Sequence, residues 1–516
     1  MALPTALYSL NQIRSFEAQR IAEGVSADFL MQSAALAALR TLQVHWPMAK
    51  RIVILCGPGN NAGDGYLLAC FAVSAGLSVQ VLAANDPTHL QAEAARAWQR
   101  CLGAGVTVEV IPAEADLNSL GVQFLAHADV IVDALLGIGL NAPLRPRMAE
   151  IVMAINAAQR PVLALDVPTG VCADTGLVSD VAVRAAVTLT FIALKKGLWL
   201  NAAPDYVGVI ELADLGMPIP QIFYTPELER IDAALVKSCL KPRQRTSHKG
   251  QAGRVLIVGG GVGMAGAALL AGEACLRVGA GLVSVITAPE SAAAIVAARP
   301  ELMVYGSNDA SELADFASQC DVLAIGPGLG QSTWGQQMFA AALATQKPLV
   351  LDADALNILA AGTYPIVRRE FILTPHPGEA ATLLGCDSAQ IQSDRILALQ
   401  KLLKRYGGII VLKGSGTLVG RCLVSSNDLE ACAAFSVPSI CDRGNPGMAV
   451  PGSGDVLTGA IAGLWAQLRD PWLAARVGVW VHAAAGDVLA PHGERGVMAR
   501  ELGIQLSAQL SQWVNP

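Results

Sequence analysis

Short apolar runs separated by alanine-rich stretches of helical length recur through this chain, and they constrain its fold more than any other feature. The first half contains "RIVILC", "LSVQVLA", "VTVEVI", "DVIVDALLG", "PVLALDVP" and "AVTLTFIAL", with helix-length segments such as Gln91–Leu102 and Arg147–Ala158 between them. Strands that are apolar throughout must be covered on both faces, so the alternation predicts a parallel sheet flanked by helices. From about residue 216 the text becomes proline-studded and then basic, "MPIPQIFYTPELERIDAALVKSCLKPRQRTSHKG". A second set of runs follows: "GRVLIVGG", "LVSVITA", "DVLAIGPGLG", "PLVLDADAL", "FILTPHPGE" and "GIIVLKGSGTLV". A chain of 516 residues is too long for one ordinary core. The expected organisation is an α/β domain over residues 1–215, a linker over 216–245, and a second α/β domain over 246–516 that His248 and Lys249 would start.

Composition removes several classes of function. The hydrophobic fraction is 53% and the mean hydropathy +0.45, but this comes from Ala, Leu, Val and 50 spread-out glycines, as buried strands and small-residue helices require. The longest uncharged stretch, Val255 to Gly272, has six glycines and reads as a strand, a glycine turn and a helix, not as a membrane span. The N-terminus lacks a basic segment followed by an apolar core, so no membrane role and a cytoplasmic location are expected. Eleven cysteines occur without a CxxC pair and read as reduced packing thiols. A formal charge of −6 argues against a nucleic-acid partner.

The turn after the first run, "GPGNNAGDGYLLA", is neither a dinucleotide fingerprint nor a P-loop. Its glycines permit close backbone approach and the following helix points free N–H groups at the turn, which describes an anion site. Asn60, Asn61 and Asp64 add donors and acceptors that suit a polar small molecule or a cation held by oxygens; a ligand-free Asx turn is the plainer alternative. Asp133 in "VIVDALLGIGL" and Asp166 in "VLALDVPTG" end two further runs. Ligands of open parallel sheets lie beyond the carboxyl ends of strands, so the three turns should meet at one edge, although an Asp there is also a common helix cap. "GGGVGMAGAALLA" (259–271) shares five identities with the first turn and should do the same strand-to-helix job.

In order and spacing, "GPGNNAGDGY", "VDALLGIGL" and "LDVPTG" resemble the epimerase domain of the bifunctional NAD(P)H-hydrate repair enzymes. The resemblance covers about residues 1–215 and implies a Rossmann-like three-layer sandwich that interconverts the R and S epimers of hydrated NADH and NADPH, termed NADHX and NADPHX. Carried over by position, Asn60, Asn61, Ala62, Gly63 and Asp64, with Gly137, Ile138, Gly139, Leu140, Asn141, Ala142 and Pro143, would line the hydrate site, and Asp166 would face the nicotinamide ring. Asn61, Asp133 and Thr169 would hold a potassium ion. The chain differs from the usual pattern at Ala62 (commonly Gly), Ile138 (commonly Thr) and Thr169 (commonly Ser); Thr169 keeps a hydroxyl and Ile138 loses one. A positioned carboxylate can both give and take the proton that carbinolamine inversion requires. Asp166 is the expected catalyst and Asp64 the reserve.

In the second half, "NPGMAVPGSGDVLTG" (445–459) places Gly452 and Gly454 at an expected helix N-terminus, with Asp455 among its N–H groups. The helix field should keep Asp455 ionised at neutral pH, ready to take a proton from an attacking hydroxyl. "VLKGSGT" (411–417) offers a second cradle, and the chain has no P-loop GK[ST]. The pair resembles the ribokinase-like fold. Seven segments in order, from "SHKGQAGRVLIVGG" through "GAALLAGEACLRVGAGLV", "AIGPGLG", "LDADAL", "TPHPGE" and "VLKGSGT" to "GSGDVLTG", resemble the NAD(P)H-hydrate dehydratase domain of the same family. The resemblance implies a ribokinase-like three-layer sandwich in which Ala267, Gly328, His376 and Asp455 contact the hydrate. Lys413, Gly414, Ser415, Gly416, Thr417 and Gly454 would contact ADP or ATP, with Mg2+ screening the phosphates. Pro451 departs from the usual glycine and stiffens the turn. His376 could stack on the nicotinamide or make a structural hydrogen bond.

The chain is thus expected to be a two-domain repair enzyme, S-specific in its dehydratase, acting on small molecules and forming a homo-oligomer. A kinase of a small alcohol on the same ribokinase-like fold is the first rival, and a non-catalytic nucleotide sensor in the first domain the second.

Overall fold

The computed structural model describes all residues except 1–2, 113, 115–123, 140–141, 221–223, 365–369, 424–433, 491–493 and 515–516. The chain divides into two units, Met1–Leu228 and Glu229–Pro516.

In the first unit, helices α1 (Leu10–Ala22) and α2 (Ala27–His45) precede an alternation of strand and helix: β1 (Arg51–Cys56), α3 (Asn60–Ser74), β2 (Ser78–Ala83), α4 (Ala92–Gly103), β3 (Thr107–Val110), β4 (Val130–Ala134), α5 (Pro146–Ala157), β5 (Val162–Leu165), β6 (Val187–Phe191) and β7 (Val209–Ala213). The seven strands are all parallel, in the order β3-β2-β1-β4-β5-β6-β7. The chain enters at β1, winds outward to β3 and returns to β4, so the order reverses between β1 and β4, where α/β sheets open a crevice for ligands. Alternate residues of β1 explain its unbroken apolar run: Ile52, Ile54 and Cys56 enter one core, Val53 and Leu55 the other.

The second unit contains β8 (Arg254–Val258), α6 (Ala265–Arg277), β9 (Leu282–Thr287), β10 (Met303–Gly306), β11 (Val322–Ile325), β12 (Leu349–Leu351), β13 (Phe371–Leu373), α7 (Pro377–Leu384), α8 (Arg395–Tyr406), β14 (Ile409–Leu412), β15 (Leu418–Arg421), β16 (Ser439–Ile440), α9 (Ser453–Leu468) and α10 (Pro471–Leu489), with further helices between them and one, Ala499–Val514, after them. Its strands run β16-β15-β14-β13-β12-β11-β8-β9-β10, parallel from β14 to β10, with β15 antiparallel to both neighbours. Glu229 and Arg230 pair with Ser439 and Ile440, and residues 233–239 form a short helix, so ordered structure begins inside the proline-studded segment. Helix α9 is buried from Val456 to Ala466. A Cβ on Gly459 would sit 2.0 Å from the Ala271 carbonyl oxygen, so glycine is what lets α9 lie against α6.

The stretch Val255–Gly272 is β8, a glycine turn and α6, and no helix among the described residues is long and apolar enough to cross a membrane. Among the described residues nine cysteines are free. Cys422, in contrast with the expectation of reduced thiols throughout, is disulfide-bonded.

Candidate active sites

The two glycine turns do the same physical job. Gly57 N–H donates to the Ala134 carbonyl at 3.1 Å, and a Cβ on Gly57 would lie 1.8 Å from the Leu135 oxygen. Gly260 N–H donates to the Pro327 carbonyl at 3.0 Å, and a Cβ on Gly259 would lie 2.1 Å from that oxygen. Each turn presses its backbone onto the loop after the neighbouring parallel strand, which no side chain would permit.

Beyond the carboxyl ends of β1 and β4 lies a cavity of ≈ 1000 Å³. Asn60, Asn61, Asp64, Gly137, Ile138, Gly139, Ala142, Pro143 and Asp166 all line it. Ala62 and Gly63 pack behind this wall; a Cβ on Gly63 would meet Met31 Sδ at 2.6 Å. Leu140 and Asn141 lie outside the described residues. Arg14 of α1 also lines the cavity and donates to the Ile138 carbonyl at 2.8 Å.

Asp166 is not a helix cap. It follows β5 at a positive φ of 67°, is 8% exposed, and its Oδ1 accepts from the Lys195 ammonium, from Thr190 Oγ1 at 3.3 Å and from Phe191 N–H at 3.3 Å. Asp64, one turn into α3, has its pKa raised well above the usual carboxylate range by burial, then by the charges of Asp166 and Glu17. Glu17, on α1 in the cavity wall, is also raised, chiefly by burial. Sequence reading missed Lys195, Glu17 and Arg14. The doublet "LKK" after β6 was the available signal, but only the fold separates Lys195, buried on Asp166, from Lys196, which pairs with Glu227.

Beneath the cavity, Asp133 is fully buried. Its Oδ1 accepts from Thr169 Oγ1 at 2.8 Å and Leu135 N–H at 3.1 Å, and its Oδ2 from Thr169 N–H at 2.8 Å. Burial pushes its pKa up to about 6, against those hydrogen bonds. Leu136 N–H donates to Thr169 Oγ1 at 3.0 Å, and a Cβ on the next residue, Gly137, would come within 3.4 Å of Asn61 Cγ. Both polar atoms of the buried Asn61 carboxamide lack a partner. A buried amide oxygen left over beside a carboxylate and a hydroxyl is a donor set suited to a hard cation.

In the second unit the focus is Asp352, 1% exposed at the end of β12. Lys413 Nζ lies 2.7 Å from its Oδ1, and Thr458 Oγ1 donates to its Oδ2 at 2.7 Å. Lys413 also lies 3.6 Å from Glu379 Oε2. Burial alone would lower the Lys413 pKa, but the charges of Asp352 and Glu379 outweigh it and raise it. Gly454 closes over this pair: a Cβ there would be 3.3 Å from Lys413 Nζ and 3.8 Å from Asp352 Oδ2. Arg395, 3% exposed, braces the 413–417 loop from within, donating to the carbonyls of Ser415, Leu412 and Lys413.

Asp455 occupies the first turn of α9, where the helix dipole favours its ionised form. The expectation that this field dominates is corrected by the surroundings: burial, then the charge of Asp352, push its pKa up to about 7. Gly328 and Ala267 are neighbours, with a Cβ on Gly328 falling 3.0 Å from Ala267 Cβ. His376 caps α7, its Nδ1 accepting from Gly378 N–H at 3.0 Å and Glu379 N–H at 3.2 Å, while the side chain stays 55% exposed. Its structural hydrogen bond and an open ring face therefore coexist. Asp352, Glu379, Thr458 and Arg395 were missed as site residues; the first three lie in "LDADAL", "TPHPGE" and "GSGDVLTG", where single acids and hydroxyls carry no spacing signal, and Arg395 stands outside every quoted segment.

Both units match known families. A family model described as YjeF-related protein N-terminus matches residues 27–197, and one described as NAD(P)H-hydrate dehydratase matches residues 255–507. The bifunctional NAD(P)H-hydrate repair enzyme Nnr of Coxiella burnetii is 41% identical over 502 residues, 96% of this chain and 98% of its own length. The chain belongs to the bifunctional NAD(P)H-hydrate repair enzymes. Another member of these repair enzymes, Nnr of Escherichia coli strain K12, is 39% identical over 518 residues, 100% of this chain and 95% of that one. Among solved structures, a ribokinase-like superfamily protein from Enterococcus faecalis V583 is 29% identical, with a TM-score of 0.51 over 57% of this chain and 99% of its own. This repair enzyme thus joins an all-parallel Rossmann-like unit to a ribokinase-like one.

Proposed function

We propose that the first unit interconverts the R and S epimers of NADHX and NADPHX in the cavity bearing Asp64 and Asp166, and that the second dehydrates the S epimer at the Asp352–Lys413–Asp455 cluster. The observation that carries this reading is the 41% identity over 502 residues, 96% of the chain.

In the first site, acids in unlike surroundings face one cavity: Asp166 ion-paired with Lys195, Asp64 raised by burial. Such a pair can divide the roles of proton acceptor and donor as the hydroxyl-bearing carbon inverts. Asn61, Asp133 and Thr169 fit a potassium ion on the orphaned Asn61 carboxamide and the Asp133–Thr169 pair, and the ion would supply a fixed positive charge under the substrate.

In the second site, ADP or ATP would lie over the 413–417 loop and the N-terminus of α9, where backbone N–H groups and the Lys413 ammonium meet phosphate. Asp455, with a pKa of about 7, would take the proton of the C6 hydroxyl as that oxygen attacks the terminal phosphorus. The ring nitrogen lone pair then expels phosphate from C6, and loss of a C5 proton restores the dihydronicotinamide, leaving AMP from ADP or ADP from ATP. Mg2+ fits as a partner of the phosphates facing Glu379 and Asp455, and would screen their charge. His376, with its exposed ring, and the neighbouring pair Ala267 and Gly328 would border the nicotinamide.

The test is a product assay on the purified S epimer with nucleotide and Mg2+. Free phosphate released in step with NADH supports dehydration; phosphate retained in a stable organic product would move the second unit to the small-alcohol kinases.

A further inference from the structure

The carboxyl ends of β5 and β6 carry an unusual matched pair of turns. Asp166 has a φ of 67° and Val167 N–H donates back to the Leu165 carbonyl at 2.9 Å; Ile192 has a φ of 67° and Ala193 N–H donates back to the Phe191 carbonyl at 2.7 Å. Both are γ-turns in the left-handed region, a strained form, and one is centred on a β-branched residue for which positive φ is an outlier. Asp166, Phe191 and Ile192 all line the cavity. Strain of this kind persists only where the surroundings over-determine it.

Lys195 supplies that constraint. Its Nζ binds Asp166 Oδ1 at the first turn and the Phe191 carbonyl, at 2.7 Å, at the second. The ammonium bridges the two turns at the floor of the cavity, with the residue 1% exposed. Its own backbone is fixed by the N-terminal segment: Tyr8 N–H donates to the Leu194 carbonyl at 2.9 Å and Lys196 N–H to the Tyr8 carbonyl at 3.1 Å. Burying an ammonium costs several kcal/mol unless it is paired and hydrogen-bonded, so its place here calls for a reason beyond packing.

We infer that Lys195 is a positioning residue of the epimerase, holding the Asp166 carboxylate at the cavity by clipping the two γ-turns together. This rests on the epimerase reading above. It accounts for the strain, which aims Asp166 out of the strand direction and into the cavity, and for the burial of the lysine at that spot.

The test compares Lys195→Ala and Lys195→Arg in the full chain, following exchange of purified R and S epimers and, in the same preparations, nucleotide-dependent dehydration of the S epimer. K195A should lose about a hundredfold in kcat for exchange, the scale on which misplacing a reacting group acts, with KM much less affected. Added ethylammonium should restore part of that rate, K195R should retain more of it than K195A, and dehydration should be unchanged. Exchange by K195A at the wild-type rate overturns the inference. So does a loss that neither ethylammonium nor the arginine relieves, which marks Lys195 as a packing residue. No exchange by the wild-type chain overturns the epimerase reading itself and is distinguishable from either.

Discussion

Lys413 Nζ sits 2.7 Å from Asp352 Oδ1, tying the loop after β14 to the end of β12 under the glycine turn that leads into α9. The consequence falls on Asp455, whose pKa the Asp352 charge raises and the Lys413 charge lowers. Asp352→Asn removes the raising charge and frees the lysine from its pair, and both changes move the Asp455 pKa down. The acid limb of the dehydration pH profile should therefore shift to lower pH, by about one unit, the size of a differential interaction near 1.4 kcal/mol. A limb that stays in place would detach Asp352 from the titration of Asp455.

Asp455 acts as a base, so its ionised form is the active one. With its pKa near 7, dehydration should fall about tenfold for each pH unit below 7 and level off above it. Asp455→Asn should cost about a hundredfold to ten-thousandfold in kcat, the range of general acid–base catalysis, and leave epimer exchange unaltered. Rates on S-NADHX between pH 5 and 9 measure both.

Asn61 buries a carboxamide with neither polar atom partnered, and it packs against Gly137, the residue after the Leu136 whose N–H donates to Thr169 of the Asp133–Thr169 pair. If potassium occupies this place, K+ should raise the unfolding free energy of the first unit relative to choline by about 2.7 kcal/mol when the ion stands at a hundred times its dissociation constant, and its unfolding midpoint with it. Asn61→Leu should erase the difference. A midpoint insensitive to K+ in the wild type would remove the ion from the site.

Much of the fold was legible because apolar runs and alanine-rich spacers are local signals. The helices at Ala92–Gly103 and Pro146–Ala157 and the strand–turn–helix at Val255–Gly272 fall where periodicity and glycines put them. Turn motifs were legible for the same reason: a cluster of Asx and Gly after a strand, as at Asn60–Asp64, advertises itself. What the sequence hid are the partners brought in from elsewhere. Lys195 reaches Asp166 across 29 positions, and Thr458 reaches Asp352 across 106. The ionisation of Asp455 was misread because the helix dipole is local, whereas the burial and the Asp352 charge that outweigh it are tertiary.

Gly459 offers a test of packing free of chemistry. A Cβ there would lie 2.0 Å from the Ala271 carbonyl, which is backbone and cannot step aside. Gly459→Ala should lower the stability of the second unit by about 1–3 kcal/mol or more, read as a fall in its urea midpoint. An unchanged midpoint would mean that α6 and α9 do not approach so closely.

The central claim is that one chain recovers both epimers. Its most direct test is the near-ultraviolet absorbance of NADH after the chain is mixed with both NADHX epimers, Mg2+, K+ and ADP or ATP. Nucleotide-dependent recovery should run to completion in the wild type, and in Asp166→Asn it should stall once the S epimer is consumed. Complete recovery at the wild-type rate in that variant would remove Asp166 from the epimerase, and no recovery at all in the wild type would contradict the account.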